Sequence, residues 1–360
     1  STITCTRRAL PFVKLLRSLC PRLALQDAEV EHSYTIVNGS RLSAVAKNQE
    51  TARTIGVEPL WNMALQLGAG AYIECALRSV GLDISTQQEK NKLLAHKASI
   101  DGSLATIDLK SASDLISPAL IEALWPVEWF SYLSAIRSEN ITVSVKGETK
   151  DYKLNMMSTM GNGFTFPMMT LTLLAIVYAV MSKHDNRSMH WDVTKVAVYG
   201  DDIICPVEYY ESITSVLNLC GLIVNHDKSF HHGPFRESCG GDFHNGMDIT
   251  PFYVRSLSTD PEIYVAINQV LDWSSKTGVI LYETLQYLRS LLQHEVCMVP
   301  QWESPDSGIL TEAVPRTYVM WSPIQRQKVW HSRNVHVDFL CCVGGYITSR
   351  TAKLRKGGPK

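Results

Sequence analysis

Three things are scarce in this 360-residue chain, and each scarcity narrows what it can be. Charge of one sign is absent: 34 Lys and Arg stand against 35 Asp and Glu, a formal net charge of −1. No global basic field announces a polyanion, so a nucleic-acid partner has to be met by a local concentration of cations. Metal-ligand spacing of cysteine is absent as well. The nine cysteines (5, 20, 75, 205, 220, 239, 297, 341 and 342) contain no CxxC pair and no paired histidine ligands. That argues against zinc and reads as scattered, mostly buried thiols in a reducing compartment. Long hydrophobic runs are missing too. The longest, residues 168–181, is broken by threonines and is shorter than the roughly 20 residues a bilayer span needs, so a buried helix is expected and no membrane partner. No signal peptide, internal repeat or low-complexity linker is visible.

What is present begins with 45% hydrophobic residues, ample for a large core and, at this length, about two or three domains. The organising stretch is VTKVAVYGDDIICP, residues 193–206. Two β-prone runs, 195–199 and 203–205, flank Gly200-Asp201-Asp202, which reads as a hairpin with carboxylates at its tip. A plain Gly-Asp turn explains one aspartate. Two adjacent like charges before an apolar Ile-Ile strand call for a counter-charge, and a divalent cation is the natural one. SLATIDL, residues 103–109, supplies a second such carboxylate: Ala105, Ile107 and Leu109 alternate with Thr106 and Asp108, so a strand ends with Asp108 among apolar residues, where an unpartnered charge is costly.

The remaining elements follow from pattern. Helices are expected over about 6–25, 61–80, 87–97 and 209–222, and through much of 256–294; loops with Pro300, Pro305, Pro315 and Pro323 follow. Residues 33–45 read as a hairpin across Asn38-Gly39, and 141–154 as another across Lys146-Gly147-Glu148. Ser111-Ala112-Ser113-Asp114 has the form of a capping box opening a helix over 115–125. Gly161-Asn162-Gly163 before a helix gives a loop able to approach a ligand closely or simply to enter the helix. TPFYVR, 250–255, carries a short strand signal. His231 and His232 read as surface loop residues, and the cations Lys353, Arg355, Lys356 and Lys360 as a solvated tail.

A strand carboxylate, a Gly-Asn-Gly loop, a hairpin with Asp201-Asp202 and an upstream loop with Lys47 and Arg53 together suit two-metal phosphoryl transfer. Two Mg²⁺ ions about 4 Å apart need shared carboxylates, and phosphate charge beyond them needs Lys or Arg. IDLKSASD, STMGNGFTF, VYGDDIICP, GPFRESCG and TPFYVR, with AKNQETARTIGVEP and LDISTQQEKNKLL upstream, resemble the replicase subunits of the small positive-strand RNA bacteriophages, the leviviruses.

That resemblance implies an α+β right-hand polymerase: an antiparallel, ferredoxin-like palm with helices, partial fingers and a helical thumb. It implies fingers over 1–100, a palm over 101–255 with a fingers-like insertion near 115–155, and a thumb with the C-terminal region over 256–360. It implies RNA-directed RNA synthesis with two Mg²⁺ ions, for which Mn²⁺ substitutes. Asp108, Asp201 and Asp202 correspond to the metal-binding aspartates and Lys228 to a cation beside the leaving pyrophosphate. Lys47 and Arg53 correspond to cations gripping the triphosphate, and Ser113, Asp114, Gly161, Asn162 and Thr165 to positions lining the ribose and nascent base pair. Pro167 and Met169 stand where relatives carry glutamates. The implied partners are template and nascent RNA, nucleoside triphosphates, host elongation factors Tu and Ts and a ribosomal protein, in the cytoplasm of a bacterial host. The chain opens at Ser1 and lacks the family's long N-terminal segment, so a truncated homologue is expected. Two alternatives stand beside this reading: a reverse transcriptase-like palm, and a catalytically silent RNA-binding replicase remnant.

Overall fold

Short strands and longer helices alternate along the chain, and the strands gather into several small sheets rather than one, so the fold is mixed α and β. In this computed structural model the described residues are 3–20, 34–46, 51–185, 194–254 and 256–311, with the backbone of four further strands at Thr317–Trp321, Lys328–Ser332, Cys342–Val343 and Tyr346–Ile347. Contacts divide the chain into two compact units, Ser1–Thr250 and Pro251–Lys360.

The first unit runs β1 (Ile3–Thr6), α1 (Leu10–Leu19), β2 (Tyr34–Val37), β3 (Ser40–Ala46), β4 (Ala52–Val57), α2 (Leu60–Ser79) and α3 (Ile84–Asp101). It continues with β5 (Leu104–Ile107), β6 (Leu109–Lys110), α4 (Ala112–Leu115), α5 (Pro118–Leu124), α6 (Val127–Ile136), β7 (Asn140–Val145), β8 (Glu148–Lys153) and α7 (Thr165–Asp185). It closes with β9 (Ala197–Tyr199), β10 (Asp202–Pro206), α8 (Tyr210–Leu219), β11 (Ile223–Val224), β12 (Phe235–Ser238), β13 (Gly241–His244) and β14 (Met247–Asp248).

The central sheet has the order β5-β10-β9, antiparallel throughout. Both of its faces are covered, which is why Ile203-Ile204-Cys205 is apolar without alternation. Ile107, Val198, Ile203 and Cys205 pack into the main core with Leu173 and Val177 of α7, all at most 1% exposed. Leu104, Ala197 and Ile204 face the other way, onto Ala95 and Ala98 of α3 and Phe243 of β13. Burying an isoleucine of this kind is worth about 1.5–3 kcal/mol, so the pair at 203–204 anchors the hairpin from both sides. A separate four-stranded sheet, β4-β3-β7-β8, carries Arg53.

The second unit is built on α9 (Asp260–Thr277) and α10 (Tyr282–Ser290), with β15 (Met298–Pro300) parallel to β16 (Ile309–Thr311). Ile263, Ile267, Val270, Leu288 and Ile309 form its core. Asn268 ties helix to strand: its Nδ2 donates to the Pro305 and Gly308 carbonyls and its Oδ1 accepts from the Leu310 N–H at 2.9 Å.

Several expectations are corrected. The Asn38-Gly39 hairpin does not form: β2 pairs in parallel with β1, whereas β3 pairs with β4 and β7. Gly39 serves instead a close backbone approach, since a Cβ there would lie 1.9 Å from the Asn140 carbonyl oxygen. Ser111 makes no capping bond and sits at φ +51°; the cap belongs to Ser117, whose Oγ accepts from the Leu120 N–H at 3.1 Å. Helix α7 is longer than its apolar run, 21 residues, and is long and apolar enough to cross a membrane by length and composition. Met168, Leu173 and Val177 at 0% exposure make it the core helix of its unit. TPFYVR forms no strand where it is described, 250–254; Pro251 lacks the N–H a ladder needs. The 229–241 stretch, where no element was expected, holds β12 and the turn into β13. Two of the residues placed in the loop-rich stretch, Pro315 and Pro323, and the basic tail lie outside the described residues.

Candidate active site

The aspartate hairpin is closed by two residues, Gly200 and Asp201, between the paired Tyr199 and Asp202. Gly200 has φ +62° and Asp201 does not share that left-handed region, the pattern of a type II′ turn with glycine first. The tip is pinned to α7. Gly200 N–H donates to Thr170 Oγ1 at 3.1 Å, Tyr199 meets Phe166 edge-on at 4.7 Å, and a Cβ on Gly200 would lie 2.5 Å from Phe166. A hydrogen-bonded tight turn on a core helix gives the two carboxylates a rigid mount.

Register brings in the third. The β5–β10 ladder pairs Ile107 with Ile203, and one step further sets Asp108 across from Asp202. Both aspartates and Asp201 are half-buried. They feel one another: burial first, and then the charges of Asp201 and Asp108, push the Asp202 carboxyl up to about 6, against a lowering hydrogen bond from the Cys239 backbone N–H. Asp202 shares its face of the sheet with Ile204, toward β12–β13, and this orients it to Cys239. Cys239 (φ +53°) and Gly240 (φ +74°) form the turn of that hairpin, which aims the Cys239 N–H.

Asp108 is held by the segment after β11. Asn225 Nδ2 donates to Asp108 Oδ2 at 2.6 Å, the Asn225 N–H donates to the Asp108 carbonyl at 2.9 Å, and the Asp108 N–H donates to Ser229 Oγ at 3.1 Å. Between those two anchors a 3-10 turn, His226–Lys228, carries Lys228. Its ammonium is 3.4 Å from Glu237, and Glu237 first, with Asp108 and Asp242 after it, holds the Lys228 pKa up. Glu237 and Asp242 are directly paired across β12–β13, and burial above all raises both carboxyls.

Buried Arg236, 1% exposed, fixes the approach to β12: its Nε donates to the Leu104 carbonyl at 2.7 Å and its Nη1 to the Gly233 and Phe235 carbonyls. Burial lowers its pKa. The GPFRES segment is thereby stapled to the strand that carries Asp108.

The other sequence-derived residues divide into two sets. Asn162 and Thr165 are 7% exposed: Asn162 Oδ1 accepts from the Phe164 N–H, and Thr165 Oγ1 reaches Ser158 Oγ and the Thr159 carbonyl, both at 2.8 Å. Burial raises the Glu58 carboxyl, and a hydrogen bond from the Asn162 side chain is among those that lower it. Gly161 lies against Gly56, whose N–H donates to the Met160 carbonyl at 2.8 Å. Ser113 is buried and Asp114 exposed on α4. Arg53 is exposed on β4, and Lys47 lies outside the described residues. Sequence reasoning missed Asn225, Ser229, Glu237 and Asp242. Glu237 and Ser229 stood within a stretch to which no element was assigned, and nothing local marked Asn225, which lies 117 positions from its partner.

The donor set suits a hard cation. Three half-buried carboxylates repel one another, and all-oxygen ligands favour Mg²⁺, which keeps waters and takes only one or two carboxylates from the protein. Among the described residues no three His, Cys, Asp or Glu side chains form a ready cage, as a dedicated all-protein site would require.

Comparison with known proteins places this geometry. The RNA replicase beta-chain family matches residues 1–333. The RNA-directed RNA polymerase beta chain of Escherichia phage MS2 is 42% identical over 279 residues, 77% of this chain and 49% of that protein. The corresponding protein of Enterobacteria phage fr is 37% identical over 295 residues, 80% of this chain and 52% of its own length. The chain thus spans about half the length of the curated relatives it matches. Among solved structures, one described as "RdRp complex" superposes with a TM-score of 0.52 at 13% identity, over 75% of this chain and 27% of that one. The BmCPV RNA dependent RNA polymerase at quiescent state gives 0.50 at 11% identity, over 79% and 29%. At such identities these two speak for the fold alone, that of viral RNA polymerases. On the family match and the phage relatives, this chain belongs to the RNA replicase beta-chain family.

Proposed function

We propose that this chain carries the catalytic centre of an RNA-directed RNA polymerase that replicates the genome of a positive-strand RNA phage. The observation that carries the reading is the coupling of Asp108, Asp201 and Asp202 at the end of one antiparallel sheet, in a chain 42% identical to a phage polymerase subunit. The β5-β10-β9 sheet with α7 is the palm, spanning 101–255 with an insertion near 115–155. Residues 1–100 belong to the fingers and 256–360 to the thumb and C-terminal region.

Asp108 and Asp201 would hold the divalent ions, with Asp202, turned to Cys239, supporting the pair. Two bound Mg²⁺ ions would supply a lowered pKa at the attacking hydroxyl and charge neutralisation at the leaving pyrophosphate. The primer 3′-hydroxyl oxygen bonds to the α-phosphorus, the bond from that phosphorus to the pyrophosphate oxygen breaks, the hydroxyl proton passes to solvent water, and the pyrophosphate departs with a proton from Lys228. The chain's own residues set the stage. Asn225 and Ser229 fix the backbone and one carboxylate oxygen of Asp108, leaving the other oxygen for its ligand. Lys228, kept protonated beside Glu237, places a cation and a proton donor near the departing pyrophosphate. Arg53, and Lys47 before it, meet the triphosphate. Ser113, Asp114, Gly161, Asn162 and Thr165 shape the ribose and base-pair side, Asn162 and Thr165 by stiffening their loop. Template RNA, nascent RNA and nucleoside triphosphates are the substrates. Host elongation factors Tu and Ts and a ribosomal protein are the proposed partners, in the bacterial cytoplasm.

Extension of a primed RNA template tests this, with ribonucleotides compared against deoxyribonucleotides. Ribonucleotide-specific incorporation that falls by on the order of 10²-fold or more in Asp108→Asn and Asp201→Asn is expected. Equal use of both sugars contradicts it in favour of a reverse transcriptase. RNA binding without incorporation, in a chain extended to the length of its relatives, contradicts it in favour of a silent remnant.

A further inference from the structure

A polar cavity of about 270 Å³ opens in the first unit, between the turn after β1, the end of β2 and the segment joining α6 to β7. Thr6, Arg7, Arg8, Asn38, Arg137 and Glu139 line it. None of them lies on the strands or turns that carry the aspartates.

Its charge is unbalanced. Arg8 is paired with Glu139. Arg137, 6% exposed, donates from Nη1 to the Met156 carbonyl at 3.1 Å and sits 3.9 Å from Glu139 through Nη2, while its buried Nε has no hydrogen-bond partner among the described residues. Arg7 is exposed and makes no ion pair among the described residues. Among the described residues, even counting Glu58, whose buried carboxyl feels Arg137 without lining the cavity, three guanidinium groups stand against two carboxylates. A buried N–H left without an acceptor is costly, and a guanidinium fork is shaped for the paired oxygens of a phosphate.

We infer that this cavity is a second phosphate-binding site, taking a backbone phosphodiester of an RNA strand away from the aspartates. The lining favours a strand over a free nucleotide: among the described residues it offers no aromatic ring on which a base stacks, only Ile36 and Val37 beside the polar groups. Contact through phosphate alone positions a strand without reading its sequence. The inference rests on the polymerase reading, and its test separates the two.

The test is equilibrium binding of a labelled oligouridylate to the 360-residue chain across a salt series, with ATP binding measured in parallel. Arg7→Ala removes an exposed cation and leaves the core untouched; it is expected to weaken RNA binding several-fold at low salt. It should also flatten the dependence of log K on log salt by about 0.7, the loss of one single-strand phosphate contact. Glu139→Gln removes a competing carboxylate and is expected to tighten RNA binding, a sign that simple loss of an ion pair does not produce. Wild-type affinity and slope in both variants overturn the site while leaving the polymerase reading intact. A change confined to ATP overturns the strand assignment in favour of a free nucleotide. Failure of the unaltered chain to bind RNA at any salt overturns the broader reading itself.

Discussion

Asp202 is the residue at which electrostatics and folding oppose each other most plainly. Burial and two neighbouring carboxylates raise it from an ordinary value near 3.8 to about 6. A raised carboxyl favours the folded state only while protonated, so its contribution is full below about pH 4 and is lost as pH rises through about 6. Moving from 3.8 to about 6 corresponds to about 3 kcal/mol. In metal-free buffer, Asp202→Asn is expected to be more stable than wild type at pH 7–8, with the gap closing toward pH 4; thermal unfolding across that range checks it. An unchanged gap removes the coupling.

Asn225 makes the complementary case at the same scale. Loss of its 2.6 Å bond in Asn225→Leu should lower the turnover of primer extension about 10–100-fold, the range for groups that orient a metal ligand. Because Asn225 touches no nucleotide in this account, KM for the triphosphate should move little, and Asn225→Ser should recover part of the rate. The aspartates were legible in the sequence because charge at the end of an apolar strand is conspicuous. Asn225 was not, because its meaning arises only when a segment 117 positions away returns to Asp108.

Elements carry the next level of constraint. The Gly200 turn is a joint between β9–β10 and α7, and Gly200→Ala adds both a left-handed φ penalty and a Cβ 2.5 Å from Phe166. A loss of about 2–3 kcal/mol in denaturant unfolding is expected, partly recovered by Phe166→Leu in the same chain. Recovery of nothing would mean that the backbone strain, and not the ring, sets the cost. Hairpins announced by local chemistry were legible at this scale: Lys146-Gly147 turns β7 into β8 as expected. Asn38-Gly39 misled because the signal reports only that the chain turns, whereas the partner of each strand is chosen by the rest of the fold. The β12–β13 hairpin was missed because its turn residues, Cys239 and Gly240, follow a strand whose buried Arg236 interrupts any apolar pattern.

For the whole molecule, the two units have separate cores, one around Leu173, Ile203 and Ile107 and the other around Ile263, Ile267 and Leu288. Residues 1–250 expressed alone should therefore unfold cooperatively, with near-ultraviolet and far-ultraviolet circular dichroism changing together; non-coincident transitions would show that the first core depends on the second unit. Composition alone was silent here, since no linker marks the division at Thr250, and packing sets it near the 255/256 boundary that the resemblance implied.

The central claim is that Asp108 and Asp201 form the nucleotidyl-transfer centre, and one comparison reaches it most directly. Template-directed ribonucleotide incorporation is measured with Mg²⁺ and with Mn²⁺ for the wild-type sequence and for Asp201→Asn, in the chain extended to the length of its phage relatives, with RNA binding measured alongside. The account predicts metal-dependent incorporation in the first, its loss in the second, and equal RNA affinity in both. Incorporation that survives in Asp201→Asn with either metal would contradict it.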